Sequence, residues 1–325
     1  MVPINRAVWQ DTFGVPGVVR ESSLPTNDEL GDHKVLVKVY AWAINPCDHI
    51  LQDRNMFKYP IILGCDIAGV VENVVPGSTA ASNFRIGDRI LGCTANNGFQ
   101  DYVALEDKLL TKVLDDMAYR DAVVLGLCSA TSAMFLFGKD YLRLDYPRIG
   151  APKKGQSVLI WGGSSAVGSN AIQLATAAGY DVITTCSKKN FDYVKRLGAV
   201  DVFDYTHAEV TAKLAEELDR GECAGIFVAA GLEDGNVMAC EIASACKQTL
   251  NLSSSSFIGN VDNIPKGVNV KQPTAGNFKA PPPLSYKVAP PPLVVSRNGL
   301  EGIQEAIDLM KKDRISVTKL VVERP

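Results

Sequence analysis

The sequence of 325 residues contains no uninterrupted apolar run close to the length of about 18 residues that spans a bilayer. It also lacks an excess of basic residues, since 33 Lys and Arg stand against 36 Asp and Glu, a formal net charge of −3. These absences argue against a membrane protein and against a nucleic-acid-binding surface, which usually carries a basic footprint. We therefore expect a small-molecule partner. Because the first residues do not resemble a signal peptide, we expect a cytoplasmic location.

The eight cysteines lack the close pairing typical of zinc ribbons and of small disulfide scaffolds. They occur at positions 47, 65, 93, 128, 186, 223, 240 and 246. We therefore expect reduced thiols. Only Cys47 and Cys65 lie near other potential metal ligands in the sequence, namely His49 and Asp66.

The two halves of the chain have different sequence patterns, and the length of the chain corresponds to about two domains. Up to about Val113, short apolar runs with alternating spacing, such as Val35, Val37 and Val39, predict a β-rich half. From Tyr119 onward, helical and strand patterns alternate. Such alternation is typical of parallel strands joined by crossover helices.

The apolar spacing of the second half predicts individual helices and strands. The predicted helices are Asp121–Phe137, Ala166–Ala178, Phe191–Leu197 and Ala208–Leu218. The predicted strands are Val158–Trp161, Asp181–Thr185, Val200–Phe203, Gly225–Ala229 and Gln248–Ser253. Thr206 and Glu209 are expected to form a capping box at the start of the last helix, which would leave His207 exposed.

A glycine-rich turn joins a predicted strand to a predicted helix in the stretch VLIWGGSSAVGSNAIQL, which starts at Val158. Such a turn leaves backbone N–H groups unpaired at a helix start, where the helix dipole favours an anion. On the dinucleotide fingerprint, Gly163 and Gly168 fill the first and third glycine positions, whereas Ser165 fills the second. The hydroxyls of Ser164 and Ser165 are candidate donors to phosphate oxygens. The turn predicts a nucleotide site, and the alternative is an ordinary βα turn.

The end of the next strand bears on the choice of nucleotide. An acidic residue there would bind a ribose 2′-hydroxyl and repel a 2′-phosphate. The strand instead runs into Ser187, Lys188, Lys189 and Asn190, which offer hydrogen-bond donors and positive charge. This composition favours NADPH over NADH. The alternative is that the two lysines are merely solvated at the start of a helix.

Five motifs occur in the order typical of the medium-chain dehydrogenase/reductase superfamily, which the chain resembles. They are GCDIAGVV at 64–71, GDRI at 87–90, GFQDYV at 98–103, LCSATSAM at 127–134 and GGSSAVG at 162–168. The chain is most similar to the zinc-independent, quinone-oxidoreductase-like branch. Its stretch TTCSKKNFDYVKRLGAVDVFDY at 184–205 resembles the stand-alone fungal enoyl reductases that serve polyketide synthases.

The resemblance implies an α/β architecture, with a GroES-like β-rich catalytic domain and a Rossmann domain that has a doubly wound parallel sheet. We expect residues 1–120 to form the catalytic domain, residues 121–270 the NADP-binding Rossmann domain, and residues 271–325 a Pro-rich connector and a return to the catalytic domain. Two Pro-Pro-Pro runs between Ser253 and Leu293 cannot form the helix that relatives place there, and they predict an extended connector. Either the substrate pocket is then unusually open, or part of its lid is lost.

The resemblance also bears on zinc. The three catalytic zinc ligands of the family would fall at Asn45, at Cys65 and near Leu127, so only one of the three positions keeps a metal-binding residue type. Catalytic zinc needs three protein ligands, and the four closely spaced cysteines of the family's structural zinc site are missing. We therefore predict no metal. The alternative is a substitute site built from Cys47, His49, Cys65 and Asp66.

Without zinc there is no Lewis acid to polarise an alcohol oxygen. Hydride delivery to an activated C=C bond is easier, because the adjacent carbonyl spreads the developing charge and the protein supplies mainly positioning, hydrogen-bond donors and a proton. We predict an NADPH-dependent, zinc-independent reductase of an enone or enoyl thioester, acting on a small molecule or on a carrier-bound acyl chain of a polyketide synthase. The alternatives are a quinone reductase of the same branch and a non-catalytic NADPH-binding scaffold. Both a monomer and a homodimer are compatible with the sequence.

The resemblance assigns expected roles to individual residues. Asn45 would lie beside the nicotinamide and the substrate, and Thr131 would touch the nicotinamide ribose. The residues expected at the pyrophosphate are Gly162, Gly163, Ser164, Ser165, Ala166 and Val167. The residues expected at the 2′-phosphate are Ser187, Lys188, Asn190 and Tyr205.

Each of these roles has a structural alternative. Asn45 precedes a proline and would serve equally as a turn residue, Thr131 could pack in a core, and Tyr205 could be a surface aromatic. The usual lysine of the family motif NPVDWK is replaced here by Ile50. His49 is therefore the candidate proton donor.

Overall fold

A computed structural model describes residues 3–256, 264–265, 268–273, 288–312 and 317–325, without the side chains of residues 232 and 233. Backbone contacts divide the chain into two compact units. Unit 1 comprises Met1–Leu127 and Pro290–Pro325, and unit 2 comprises Cys128–Ala289. Both ends of the chain therefore contribute to unit 1.

The strands of the described residues are mostly short. They are β1 Asn5–Gln10, β2 Val18–Ser22, β3 Lys34–Ile44, β4 Ile61–Ile62, β5 Asp66–Val74, β6 Arg89–Cys93, β7 Tyr102–Glu106, β8 Leu110–Lys112, β9 Gln156–Trp161, β10 Asp181–Thr185, β11 Ala199–Phe203, β12 Glu222–Val228, β13 Asn251–Ser254, β14 Asn269–Lys271, β15 Leu293–Ser296 and β16 Lys319–Glu323.

The helices differ in length between the two units. They are α1 Asn27–Leu30, α2 Pro46–Gln52, α3 Thr79–Asn83, α4 Tyr119–Val123, α5 Gly126–Phe137, α6 Ala166–Ala177, α7 Phe191–Arg196, α8 Val210–Leu218, α9 Leu232–Ala245 and α10 Ile303–Lys312. Single-turn 3₁₀ helices occupy Asp107–Leu109, Lys188–Asn190 and Gly299–Gly302.

Unit 1 is built around the long strand β3. Its larger sheet has the order β15-β16-β3-β5-β6-β8, with β7 also paired to β3, and a smaller sheet has the order β2-β1-β4. Val35, Val37 and Val39 are fully buried in the core, as their alternating spacing predicts. Near the C-terminal end of β3, Leu320 of β16 pairs with Ile44, and Asp66 of β5 pairs with Ala43. This register brings β5 and β16 to opposite sides of the point where β3 ends.

Unit 2 contains a parallel sheet with the order β11-β10-β9-β12-β13-β14, and each neighbouring pair is parallel. Counted from β9, this is the strand order 3-2-1-4-5-6 of the doubly wound dinucleotide-binding fold. From β9 to β13, the helices α6, α7, α8 and α9 connect successive strands, because parallel neighbours require crossover connections. The structure confirms the predicted α/β fold class, with a Rossmann sheet in unit 2.

The predicted helix Asp121–Phe137 is divided in the structure. Helix α4 ends at Val123 and α5 begins at Gly126. The break lets the backbone N–H of Leu127 donate to Oδ1 of Asp66 at 2.6 Å. A Cβ atom on Gly126 would lie 2.5 Å from the same oxygen. A carboxylate distant in sequence therefore interrupts a pattern that is locally helical.

The predicted capping box at Thr206 and Glu209 is wrong. The hydroxyl of Thr206 donates to Oδ1 of Asp204 at 2.7 Å, and α8 begins only at Val210. A short side chain that bonds to its own turn competes with helix capping. His207 is exposed, as predicted. The Pro-rich segment expected to form an extended connector lies largely outside the described residues, and of its last part, 288–292 carry no helix or strand.

One stretch of the described chain, Tyr119–Phe137, meets the length and apolarity of a membrane-spanning helix. It is 56% buried within the protein. The core helices of soluble proteins pass the same test, so the stretch is weak evidence for a membrane span.

Candidate active site

The candidate residues fall into the two units, and the glycine-rich turn in unit 2 leads from β9 to α6. Gly162 has a φ of +81°, a conformation that favours glycine. A Cβ atom on Gly168 would lie 2.3 Å from the carbonyl oxygen of Gly162, and one on Gly163 would lie 2.1 Å from Oγ1 of Thr184. The turn therefore approaches both the following helix and the neighbouring strand too closely for side chains at positions 163 and 168.

Ser165, which stands at the second glycine position of the fingerprint, caps α6. Its Oγ accepts a hydrogen bond from the backbone N–H of Gly168 at 2.9 Å and donates to the carbonyl oxygen of Gly162 at 2.8 Å. The hydroxyl proton of Ser165 is thus used inside the turn, contrary to the expectation that it donates to a phosphate. Ala166 and Val167 are the first two helical residues, whose backbone N–H groups have no intrahelical acceptor and point out of the helix N-terminus.

The end of β10 is hydrogen-bonded to the same turn. Oγ1 of Thr185 accepts from the backbone N–H of Gly162 at 3.0 Å, and the backbone N–H of Gly163 donates to the Thr185 carbonyl at 2.9 Å. Beyond this strand, Oγ of Ser187 lies 3.0 Å from the phenolic oxygen of Tyr205. The structure therefore brings together two residues, distant in sequence, that were both expected at a 2′-phosphate.

Charge near this Ser187–Tyr205 pair is mixed. The side chains of Lys188 and Lys189 are exposed, whereas Asn190 is buried. The carboxylate of Asp204 accepts from the backbone N–H and the hydroxyl of Thr206, and these bonds hold its pKa below the ordinary value, with a smaller contribution from Lys188. The Asp204 carboxylate is therefore already engaged by donors of its own turn.

Thr131 lies half-buried on α5. The next residue, Ser132, is fully buried, and its Oγ lies 2.8 Å from the carbonyl oxygen of Cys128 and 2.7 Å from that of Val167. Ser132 thus links α5 to the start of α6. The sequence analysis did not identify this role, although a serine within the apolar stretch LCSATSAM was a signal for it.

In unit 1, Asn45 is the N-cap of α2, a short helix that the sequence analysis did not predict. Pro46 stands at the first helical position, where its missing N–H costs nothing. The backbone N–H of Asn45 donates to Oδ2 of Asp48 at 2.7 Å, and the backbone N–H of Asp48 donates to the Asn45 carbonyl at 3.0 Å. These two bonds fix the start of the helix immediately after β3.

The side-chain amide of Asn45 is engaged at both ends. Its Nδ2 donates to Oδ2 of Asp66 at 3.0 Å and lies 3.3 Å from the carbonyl oxygen of Ala43. Its Oδ1 accepts from Nζ of Lys319, which comes from β16. Asn45, Asp66 and Lys319 are all buried. Together with Cys47, Asp48 and Cys65, we call these residues the Asn45 cluster.

The two carboxylates of the Asn45 cluster are held in low dielectric. Burial raises the pKa of Asp66, and the ammonium of Lys319 and the amide of Asn45 partly offset this. Burial raises the pKa of Asp48 to about 7, although the backbone N–H of Asn45 and the charge of Lys319 oppose the shift. A carboxyl group with a pKa near neutrality can both accept and release a proton under physiological conditions.

Two thiols complete the cluster. Sγ of Cys47 lies 3.8 Å from Sγ of Cys65, and these atoms lie within 4.8 Å of a carboxylate oxygen of Asp48. The interaction with Cys47 and burial raise the pKa of Cys65 well above its ordinary value. Of the substitute metal ligands considered above, the structure groups Cys47 and Cys65 with Asp48, and His49 and Asp66 do not belong to this group.

The three positions of the family's catalytic zinc do not fit a zinc ion. The amide of Asn45 is hydrogen-bonded to Asp66 and Lys319, and at Leu127 the contribution is a backbone N–H donated to Asp66. The ammonium of Lys319 also lies 3.9 Å from Oδ2 of Asp66, where it would repel a second cation. Only Cys65 offers a ligand atom of the expected kind.

His49 lies half-buried on α2. Burial lowers its pKa, Asp53 opposes this shift, and Lys311 adds to it. Within the described part of the chain its ring makes no hydrogen bond. A lowered pKa leaves the imidazole neutral at pH 7.

Lys319 and its pairing with Asp66 were not identified from the sequence. A lysine at the head of the apolar strand KLVV was the available signal, because a buried ammonium requires a partner. The identity of that partner depends on how β16 pairs with β3.

Comparisons with known proteins place these features in a family. The alcohol dehydrogenase GroES-like domain family matches residues 31–115, and the zinc-binding dehydrogenase family matches residues 166–244. The chain is 36% identical to dehydrogenase azaJ of Aspergillus niger, with 96% of this chain and 98% of the relative covered. It is 31% identical to trans-enoyl reductase himH of Aspergillus japonicus, with 98% and 97% covered.

Solved structures agree on the fold. The CurK enoyl reductase superimposes with a TM-score of 0.76 at 16% identity over 99% of both chains. A quinone oxidoreductase from Coxiella burnetii superimposes with a TM-score of 0.74 at 21% identity over 99% of this chain and 100% of the other. The chain belongs to the medium-chain dehydrogenase/reductase superfamily of oxidoreductases, whose fold binds a nicotinamide cofactor.

Proposed function

We propose that this protein is an NADPH-dependent reductase of an activated C=C bond that works without zinc. The observation that carries the proposal is the network of Asn45, Asp66 and Lys319, because Asn45 stands at one of the three positions expected for the family's catalytic zinc and its amide bonds to Asp66 and Lys319 instead. The amide, the carboxylate and the ammonium bond to one another, and the ammonium would repel a metal cation at Asn45. A reaction in which the substrate's own carbonyl delocalises charge suits such a site best.

Specific residues of unit 2 would hold the cofactor, which when bound supplies a hydride. The backbone N–H groups of Ala166 and Val167 would bind the pyrophosphate at the N-terminus of α6. The hydroxyls of Ser187 and Tyr205, which are 3.0 Å apart, would bind a 2′-phosphate, with the exposed charge of Lys188 nearby. The absence of an acidic residue directly after β10 supports NADPH over NADH.

The names of relatives support an acyl substrate. Proteins named trans-enoyl reductase are 31% identical in Aspergillus japonicus and 30% identical in Pyricularia oryzae, and alignments with them cover 98% and 89% of this chain. We propose that the substrate is an α,β-unsaturated thioester, presented by the carrier domain of a polyketide synthase or as a small thioester. A cytoplasmic location is consistent with such a partner.

A proton must reach the α-carbon after hydride transfer to the β-carbon. His49 remains our candidate donor, acting through the small fraction of its imidazole that stays protonated at pH 7. Thr131 remains our candidate contact to the nicotinamide ribose. In H49A the kcat for thioester reduction should fall at least about tenfold, because general acid catalysis contributes about 10²–10⁴-fold. An unchanged kcat in H49A would exclude His49 and leave water as the donor.

Cofactor binding and turnover are tested separately. Titrations with NADPH and with NADH determine which dinucleotide binds more tightly. NADPH consumption is then followed with an α,β-unsaturated thioester, a simple enone and a quinone in parallel, with and without a chelator. Tight NADPH binding with thioester turnover that the chelator does not reduce is the expected result.

Other results would identify the alternatives. Consumption of NADPH with the quinone alone would favour a quinone reductase, and binding without turnover of any substrate would favour a scaffold. Inhibition by the chelator would contradict the zinc-independent reading. Tighter binding of NADH would contradict the proposed 2′-phosphate site.

A further inference from the structure

We propose that Cys47 and Cys65 form a peroxide-sensitive dithiol site, in which Cys47 is oxidised first, Cys65 resolves it into a disulfide, and Asp48 serves as the base. This inference does not rest on the proposed reductase function. It rests on the position of two sulfur atoms and one carboxylate within the Asn45 cluster.

The two thiols are in contact but differ in access. All eight cysteines are free, and the sulfur atoms of Cys47 and Cys65 are 3.8 Å apart. Cys47 is half-buried on α2, whereas Cys65 is 4% exposed and donates to the carbonyl oxygen of Ala95 at 3.6 Å. Peroxide can therefore reach Cys47 more easily than Cys65. A disulfide requires the sulfur atoms to approach from 3.8 Å to about 2.05 Å.

A base is available beside the buried thiol. Oδ2 of Asp48 accepts the backbone N–H of Asn45, whereas Oδ1 is buried without a hydrogen-bond partner among the described residues. A buried acceptor without a hydrogen bond costs free energy. A group that donates a proton to Oδ1 is therefore favoured. The Cys65 thiol lies within 4.8 Å of this carboxylate and becomes such a donor when its proton turns from the Ala95 carbonyl to Asp48.

The chemistry balances with one molecule of peroxide. The Cys47 thiolate attacks one peroxide oxygen, the O–O bond breaks, and the departing hydroxide takes up a proton to become water while Cys47 becomes a sulfenic acid. Cys65 sulfur then attacks the sulfenic sulfur, and its proton passes to Asp48. The S–S bond forms, the S–O bond breaks, and the departing hydroxide receives the proton from Asp48 as a second water. Two thiols and one peroxide thus yield one disulfide and two waters.

The test uses the full native chain and hydrogen peroxide. Intact mass spectrometry should show loss of two hydrogen atoms, peptide mapping should find a Cys47–Cys65 cross-link, and dithiothreitol should reverse it. In C65S, Cys47 should accumulate a sulfenic acid that dimedone labels, whereas C47S should remain unlabelled at Cys65. C246S is the matched control, because Cys246 is also half-buried, and it should form the cross-link as the parent does.

The rate of cross-linking tests separately whether Asp48 serves as the base. In D48N the cross-link should form at least about tenfold more slowly, while dimedone labelling of Cys47 in the double variant D48N/C65S should keep its rate. Equal rates of cross-linking would overturn the base role. Dimedone labelling of Cys65 in C47S, pairing of Cys47 with another cysteine, or stepwise oxidation of Cys47 to a sulfinic acid without a cross-link would overturn the site.

Discussion

The Nζ atom of Lys319 lies 3.9 Å from Oδ2 of Asp66, and these side chains are 3% and 0% exposed. Two ions removed from water lose several kcal/mol of hydration each, which their attraction offsets only when the remaining hydrogen-bonding capacity is satisfied. Asn45 supplies that capacity, because its amide donates to the carboxylate and accepts from the ammonium. The position of Asn45 is thus set by two strands that flank the end of β3.

Removal of the ammonium should destabilise unit 1 strongly. We expect K319M to lower the free energy of unfolding by about 3–5 kcal/mol, because it leaves Asp66 buried without its cation. Urea denaturation measures the loss. The control is K311A, which removes an exposed pair with Asp53 at 2.9 Å and should cost under about 1 kcal/mol. The double variant K319M/D66N should recover part of the loss, and equal stability of K319M and K311A would contradict the account.

Stability should fall as pH rises toward neutrality. Burial raises the pKa of folded Asp48 to about 7, whereas an unfolded aspartate has a pKa of about 3.9. Between these values the folded chain holds a proton that the unfolded chain has released, so the free energy of unfolding decreases with increasing pH. For a shift of this size the decrease is at most about 4 kcal/mol.

The D48N variant isolates this contribution. Its amide does not titrate, so its free energy of unfolding should decrease less between about pH 5 and about pH 7.5 than that of the parent chain. Some decrease should persist, because burial also raises the pKa of Asp66. The variant D192N, at an exposed position of α7, serves as the control and should follow the parent. Parallel curves for D48N and the parent would contradict the assignment.

A methyl group at Gly168 should disrupt the nucleotide turn. The new Cβ would meet the carbonyl oxygen of Gly162 at 2.3 Å and Cα of Gly163 at 2.7 Å, and both are backbone atoms that cannot rotate away. We expect G168A to lose about 1–3 kcal/mol of stability and to bind NADPH more weakly. G221A is the control, since a Cβ there meets nothing within 4 Å. Unimpaired NADPH binding by G168A would remove the turn from the proposed cofactor site.

Charge reversal at Lys188 tests the choice of dinucleotide. K188E should raise the Kd for NADPH by about tenfold or more, equivalent to at least about 1.4 kcal/mol, and leave the Kd for NADH nearly unchanged. Fluorescence titration of both dinucleotides measures the difference. K195E reverses another exposed lysine on the following helix α7 and should leave the preference unaltered. Equal weakening of both dinucleotides by K188E would contradict a specific 2′-phosphate contact.

Local patterns predicted much of unit 2. The strand Asp181–Thr185 has the predicted bounds, and α6 ends one residue earlier than predicted. The glycine at position 168 follows from the close approach of Gly162 within a few residues of chain, whereas the glycine at position 163 follows from the close approach of Thr184 on the neighbouring strand. Errors occurred where a distant group intervened, as when Asp66 divides the helix predicted from Asp121 to Phe137.

By itself, the sequence determined the doubly wound sheet and its glycine-rich turn, because apolar periodicity and backbone sterics act over short stretches of chain. Only the tertiary structure decided which groups meet at Asn45. Lys319 and Asp66 reach it through the pairing of β16 and β5 with β3. That pairing brings Lys319, near the C-terminus, close to Asp66. Because either charge would be costly to bury alone, each side chain requires the other as its partner.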